Sequence, residues 1–350
     1  MKVEKMSLST SDKIGFIISL STMIAAGITV VEALDSLLED TKDQQRKIIQ
    51  TIKDDVTQGK RLYVAFSKFP LIFDKVTVNL VKAAEEAGTL ETTLQNIKEN
   101  MQKEAELIDK IKSSLVYPIF IVLMLIGVML MMLFFVVPKI AVVFTRLKVE
   151  LPLPTRIMMF VSDIATKNTI PFFAGTAIFI ILLIVIYKTQ KRKFIQTIAS
   201  FPIISQLVKK MDLVRLTRNL SMLLNSGILI INALEICEDI VINKNVAQMI
   251  HNSRNSVLAG KRLGQGLRTE KKIMPTIIIR IIESGEKSGQ LTKALTESSN
   301  YLDYEVSKAL KTFITLLEPI MLVLVGIMVG GMMISIIAPI YGMIGQVGAP

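Results

Sequence analysis

Few side chains here could do covalent chemistry. Among 350 residues there is one histidine, His251, and one cysteine, Cys237. A lone cysteine excludes an intrachain disulfide and any Cys-rich metal site. A lone histidine argues against His-based metal ligation and against a Ser-His-Asp arrangement. His251 reads as a surface helix residue and Cys237 as a small buried apolar one. The stretch GKRLGQG (260–266) invites a phosphate-loop reading. Such a loop needs Gly-x-x-x-x-Gly-Lys-Ser/Thr after a strand, so that backbone amides surround the phosphate. The order differs here, no strand pattern precedes it, and an earlier copy reads GKRLYVA (59–65). It reads as a joint between helices. With no paired carboxylates, nucleophile elbow or metal-ligand spacing, the sequence predicts no catalytic residue, no cofactor and no metal.

Two short polar stretches stand out in an apolar chain: AEEAGTL (84–90) and GEKSGQL (285–291). Both contain Glu-x-x-Gly-x-Leu. Gly88 and Gly289 suit a left-handed helix C-cap that a side chain would penalise. The next helix then begins near Thr89 or Gln290, with Leu90 and Leu291 returning to the core. Glu85 and Glu286 fall in a last helical turn, where the macrodipole disfavours them. Each therefore needs a partner: a backbone donor, Lys or Arg. A purely structural role, a contact with another protein and a bound cation all remain open. Glu318, just before Pro319, is a carboxylate at the mouth of an apolar run. It is costly there unless it reaches water, pairs, or lies in a protein interface. The small-residue run GIMVGGMMIS (326–335) permits close helix approach.

These residues need elements to hold them. Half of the chain is hydrophobic and the formal net charge is +11. That is too apolar for an ordinary soluble enzyme and too charged for a bundle of spans alone. A membrane protein with sizeable aqueous parts fits both. Tryptophan is absent, aromatics make up 6% and no base-stacking or zinc-finger pattern occurs, which disfavours nucleic acid as the acidic partner. The opening MKVEKMSLSTSDK leads into no signal-peptide cleavage site.

A bilayer core of about 30 Å needs roughly 20 apolar residues in a helix. Three uncharged stretches qualify: 115–137, 170–187 and 319–341. Two others, 14–31 and 219–234, contain Ser, Thr or Asn and a mid-run glycine that reads as a helix stop. They are expected to be buried helix pairs rather than spans. The basic segment KTQKRK (188–193) puts the end of the second span in the cytoplasm. Residues 188–218, with eight basic residues and one acidic, could lie against anionic headgroups. Lys139, Arg146, Lys148, Arg156 and Lys167 leave the side of the intervening loop undecided by charge alone.

Internal duplication decides it. LSTMIAAGITVVEAL (20–34) aligns without a gap on LSMLLNSGILIINAL (220–234), with Gly27 on Gly227. One inserted residue later GKRL (59–62) aligns on GKRL (260–263), Glu85 on Glu286, Gly88 on Gly289 and Pro118 on Pro319. Each copy is an all-α polar unit followed by an apolar run that starts near a proline. The apolar periodicity of the first copy predicts helices over 10–26, 28–39, 42–58, 60–67, 73–86 and from 89 onward. Duplicated units should share a compartment, so an even number of spans separates them. The expected layout is a cytoplasmic domain (1–114), a span (115–137), an external loop (138–169), a span (170–187), a second cytoplasmic domain (188–313), a span (314–341) and an external tail (342–350).

Taken together, YPIFIVLML, VVPKI, LPLPTR, FPIISQLVKK, RLTRNLSMLLNSGI, GEKSGQL, LEPIMLVLVGIMVGG and APIY resemble the GspF/PilC family, along nearly the whole chain and in order. These are the inner-membrane platform proteins of type II secretion systems and type IV pili. The resemblance implies a polytopic protein of the bacterial inner membrane with two cytoplasmic six-helix domains, three transmembrane helices and no catalytic activity. It also implies self-association into a homo-oligomer, and contact with a hexameric assembly ATPase, with pilin or pseudopilin, and with other inner-membrane assembly proteins. The family's turn falls on Gly285, Glu286, Gly289 and Leu291, and on Glu85, Gly88 and Leu90. Its Tyr-Pro falls on Tyr117 and Pro118, its Glu-Pro on Glu318 and Pro319. Ala84 departs from the pattern, standing where the first turn usually has glycine. A small transporter or a membrane-anchored enzyme or adaptor is the rival. Transporter repeats, however, lie largely inside the membrane, whereas these are mostly aqueous.

Overall fold

The computed structural model describes residues 6–41, 43–139, 202–269 and 273–347, with scattered positions between 142 and 185. Every regular element among the described residues is helical. The first copy comprises α1 (Thr10–Ala25), α2 (Val30–Glu39), α3 (Asp43–Thr57), α4 (Leu62–Ser67), α5 (Lys75–Ala87) and α6 (Leu90–Met131). The second comprises α7 (Pro202–Asn225), α8 (Ile230–Ile240), α9 (Lys244–Leu258), α10 (Leu263–Arg268), α11 (Thr276–Lys287) and α12 (Leu291–Val347). In the first copy the boundaries fall within two residues of those read from periodicity.

Local chemistry explains the boundaries. The Ser9 hydroxyl accepts the Asp12 N–H at 3.1 Å and opens α1. Thr29 and Glu32 form a reciprocal capping box that opens α2. The Asp74 carboxylate accepts the Thr77 N–H at 2.8 Å and opens α5. The joints between helices turn on glycines in the left-handed region, in matched pairs. Gly27 and Gly227 have φ of 84° and 81°, Gly59 and Gly260 81° and 79°, Gly88 and Gly289 69° and 71°. The glycines in the middle of 14–31 and 219–234 thus split each run into two helices.

The copies pack their cores with different materials. In the first, Phe66 stacks on Phe73 with centroids 3.9 Å apart, and Phe16 leans on both rings. A fully buried Phe contributes about 1.5–3 kcal/mol. The equivalent positions in the second copy are Leu216, Leu267 and Met274, all buried. These shorter side chains leave a void of ≈ 10 Å³ between them, lined also by Ser253 and Thr217.

Both copies belong to one compact unit, Met1–Asp109 with Gln196–Ala309. Within it α5 packs on α7 and α8. Lys75 pairs with Asp239 at 2.5 Å, Arg215 with Glu104 at 2.8 Å, and the Asn100 side chain reaches Asn219 at 3.4 Å. Lys210 pairs with Glu305 at 3.0 Å, and Arg218 with Asp303. Lys210, Arg215 and Arg218 are therefore engaged in protein ion pairs, and Leu213, Val214 and Leu216 beside them are buried. This departs from the headgroup-facing helix expected there; residues 188–201, including KTQKRK, lie outside the described residues.

The second unit is Lys110–Ile195 with Leu310–Pro350. It holds the apolar parts of α6 and α12, the two described helices long and apolar enough to cross a membrane. Their large side chains are open to the surroundings, as at Phe120 (60% exposed) and Ile327 (70%). An aqueous helix hides such a stripe, whereas a lipid-facing one presents it. The helix after α6 widens into a π turn, Met132–Val136, and the buried Ser162 hydroxyl donates to the Leu133 carbonyl at 2.7 Å. Described positions in the stretch expected as a loop, among them Val142, Arg156 and Ser162, are helical. Most of the expected second span, 170–187, lies outside the described residues.

Candidate functional site

The duplicated turn and the duplicated GKRL joint meet in space. The Glu85 carboxylate accepts the Leu62 N–H at 2.7 Å and the Tyr63 N–H at 3.0 Å. The Glu286 carboxylate accepts the Leu263 N–H at 2.7 Å and the Gly264 N–H at 3.0 Å. The first N–H groups of a helix have no partner inside it. Here a carboxylate from another helix supplies both acceptors for α4 and for α10. The charge that is unfavourable in the last turns of α5 and α11 is thereby placed where donors are orphaned. Sequence reasoning missed these particular partners. The signal lay in the common spacing: Leu62 to Glu85 and Leu263 to Glu286 are both 23 residues.

The glycines make the clamp possible. After Ala87, Gly88 takes φ 69° and lets the Thr89 N–H reach back to the Ala84 carbonyl at 2.9 Å. After Ser288, Gly289 does the same for the Gln290 N–H and the Gly285 carbonyl at 2.7 Å. Leu90 and Leu291 then pack, half-buried, on the core. Gly285 has a second reason to be glycine: a Cβ there would overlap that of Ala294. At the matching position Ala84 is accommodated and fully buried. The copies also differ beside the clamp. Tyr63 carries the Lys82 ammonium over its ring at 5.8 Å. Gly264 instead leaves room for Glu283, which takes a two-pronged contact from Arg268 at 2.8 and 2.6 Å.

Two further carboxylates, unnoticed in the sequence, hold the unit together. Asp212 is buried and accepts the Ile242 and Asn243 N–H groups at 2.8 and 2.6 Å, tying α7 to the start of α9. Burial pushes its carboxyl above the usual aspartate range, against those bonds and the Arg215 guanidinium. Asp55 is also buried, which pushes its carboxyl up, but the Lys60 and Lys68 ammonium groups at 2.6 and 2.5 Å outweigh this and hold it below the usual range.

Along the seam between copies runs a cleft of ≈ 330 Å³, lined by Asn96, Asn100, Lys103, Ser221, Thr296 and Ser299 among others. It offers amides and hydroxyls but no aromatic ring. His251 lies beside Glu238 at 3.2 Å, and burial pushes the Cys237 thiol up to about 12. A thiol so protected has almost no nucleophilic thiolate at neutral pH. Among the described residues no three His, Cys, Asp or Glu side chains are grouped to hold a metal. Tyr117, Pro118, Glu318 and Pro319 are not part of the clamps; they lie in the continuous α6 and α12 and belong to the other unit.

Paired helical repeats, each running into an apolar helix, define a duplicated helical protein built to work at a membrane. Comparison with known proteins finds the same duplication. A family profile described as "Type II secretion system (T2SS), protein F" matches residues 16–138 and again 216–339. "Type IV pilus assembly protein PilC" of Thermus thermophilus is 30% identical over 329 residues, covering 93% of this chain and 81% of that protein. The Myxococcus xanthus protein of the same name is 30% identical over 342 residues, covering 96% and 81%. "Type II secretion system protein F" of Aeromonas hydrophila is 27% identical over 335 residues, covering 95% and 86%. The chain belongs to the type II secretion system protein F family.

Proposed function

We propose that the chain is a platform protein of the bacterial inner membrane in a type IV pilus or type II secretion machine. In this reading it passes work from a separate assembly ATPase to pilin or pseudopilin subunits. The observation that carries it is the double family match, with relatives named for pilus assembly and for secretion. The apolar helices supply a route to subunits held in the bilayer. The clamped repeats supply a firm docking surface for cytoplasmic partners, including the hexameric ATPase, and the second copy carries the basic excess, with 20 basic and 10 acidic residues over 188–313. We propose no catalysis by the chain itself: the clamp carboxylates are bound to backbone amides and the only thiol is held protonated.

The proposed topology has three spans, a cytoplasmic N-terminus and an external C-terminus, with both repeats cytoplasmic and the chain self-associated. Reporter fusions at Lys193 and after Ile340 should report cytoplasm and exterior. Deleting the gene should stop filament or secretion assembly while pilin synthesis continues. Binding of the purified chain to the ATPase should weaken as salt rises, since charge steers the encounter. ATP hydrolysis by the purified chain itself, or assembly continuing in the deletion strain, would overturn the reading.

A further inference from the structure

We infer that a second copy of this chain docks head to tail on the first, the α11–α12 face of one against the α1–α2 face of the other. The inference deepens the homo-oligomer part of the reading above and rests on it. It comes from the seam between the two repeats. That seam joins unlike faces: Lys75, Asn100 and Glu104 of α5 and α6 meet Asp239, Asn219 and Arg215 of α8 and α7. A two-fold seam would also bring Thr276 to Glu39 and Tyr301 to Ile18 and Ser19, the equivalents of those positions. Among the described residues no hydrogen bond or ion pair joins them. A head-to-tail contact leaves one complementary face at each end of the pair, and repeating it adds copies.

The two remaining faces have changed character together. On α7 the seam face carries Arg215, Arg218, Asn219 and Met222, at i, i+3, i+4 and i+7. The same positions on α1 are Gly15, Ile18, Ser19 and Thr22, all uncharged and mostly small. On α6 the opposing residues are Asn100 and Lys103; on α12 they are Tyr301 and Tyr304, 42% and 64% exposed. Of the partners inside the chain, Lys75, Asn100, Arg215, Arg218 and Asn219 are replaced on the free faces by Thr276, Tyr301, Gly15, Ile18 and Ser19, while Glu104 and Asp239 keep a carboxylate there as Glu305 and Glu39. One face becomes a low, uncharged surface and the other carries two broad rings, and flat rings pack closely where the opposing side chains are short. Charge follows the same logic. The acidic α8 face receives Lys75 at Asp239, and the equivalent α2 face exposes Glu39, with Asp35 already paired to Lys53 and Glu32 closing the Thr29 capping box. Exposed Arg280 on α11 lies about one helical turn after Thr276, the equivalent of Lys75.

The test uses the full-length chain in detergent or nanodiscs. Thr276→Cys and Glu39→Cys are introduced singly and together, and treated with a short bismaleimide; the native Cys237 is buried. The double variant should give a ladder of dimers and larger species, and each single variant no more than the parent. Dimers from a single variant would reveal a two-fold interface and overturn the inference. A chain that light scattering shows to be oligomeric, yet gives no ladder, associates through another face, which overturns the inference while keeping self-association. A chain that is monomeric throughout removes both. As a second arm, Tyr301→Glu should dissociate the oligomer without lowering the melting temperature; an oligomer untouched by it would exclude this face.

Discussion

Glu286 and Leu263 are separated by 23 residues in sequence and joined by a 2.7 Å hydrogen bond from the Leu263 N–H to the Glu286 carboxylate. Glu85 and Leu62 are joined identically, at the same separation and distance. The duplicated polar turn is thus half of a duplicated clamp whose other half is the GKRL joint. Removing the carboxylate strands two N–H groups, one of them on a buried leucine. Glu286→Ala should cost about 1–3 kcal/mol, the usual penalty of an unsatisfied buried donor. Glu286→Gln, which keeps one acceptor oxygen, should cost less. Thermal unfolding of both variants checks this. An alanine variant that melts with wild type would mean that the clamp carries no stability.

The two glycines of the second turn should fail for different reasons. Gly289→Val forces a β-branched residue into φ 71° and should destabilise the unit by about 1–3 kcal/mol. Gly285→Ala keeps ordinary helical backbone but drives a methyl against Ala294. Shrinking the neighbour, as Ala294→Gly, should rescue Gly285→Ala in part, since the Gln290 carbonyl still stands 3.0 Å from the added methyl, and leave Gly289→Val unimproved. Denaturant midpoints of the double variants decide between the two mechanisms.

Asp212 and Asp55 give opposite pH dependences. Asp212 has a raised carboxyl in the fold, so its contribution is fully present below the ordinary aspartate value and is lost as pH rises through the raised one. Asp212→Asn preserves an acceptor for Ile242 and Asn243 and should flatten that loss. Asp55 is depressed, so its contribution is present above the ordinary value and is lost as pH falls through the depressed one. Asp55→Asn should weaken the protein at neutral pH and remove part of the acid-side loss. Melting temperatures from acid to neutral pH, for each variant against wild type, read both signs.

The first core should tolerate less than the second. Phe66→Ala removes a ring stacked on Phe73 and should cost about 3–5 kcal/mol. Leu267→Ala, at the matching position beside an existing void, should cost about 2–5 kcal/mol and lie toward the lower end. Equal losses for the two variants would show that the aromatic stack adds nothing beyond its volume.

Much of the helix layout was legible in the sequence because it rests on local physics. Glycines at Gly27, Gly59 and Gly88, with Ser9, Thr29 and Asp74 as caps, end and start helices through contacts a few residues long. The duplication was legible because the same locally determined pattern recurs at a constant offset. What Glu85 and Glu286 bind was decided only by tertiary structure: a last-turn carboxylate announces a need for a donor, not which of many will reach it. The same holds for Asp212, buried by helices distant in sequence, and for Arg215 and Arg218. Their charge suggested a lipid surface, and only packing turned them elsewhere, Arg215 across the repeat seam to Glu104 and Arg218 to Asp303 of its own copy. Period and caps are properties of one helix. Partners are properties of how helices meet, and that depends on side chains more than a hundred residues apart, as in the Arg215–Glu104 pair.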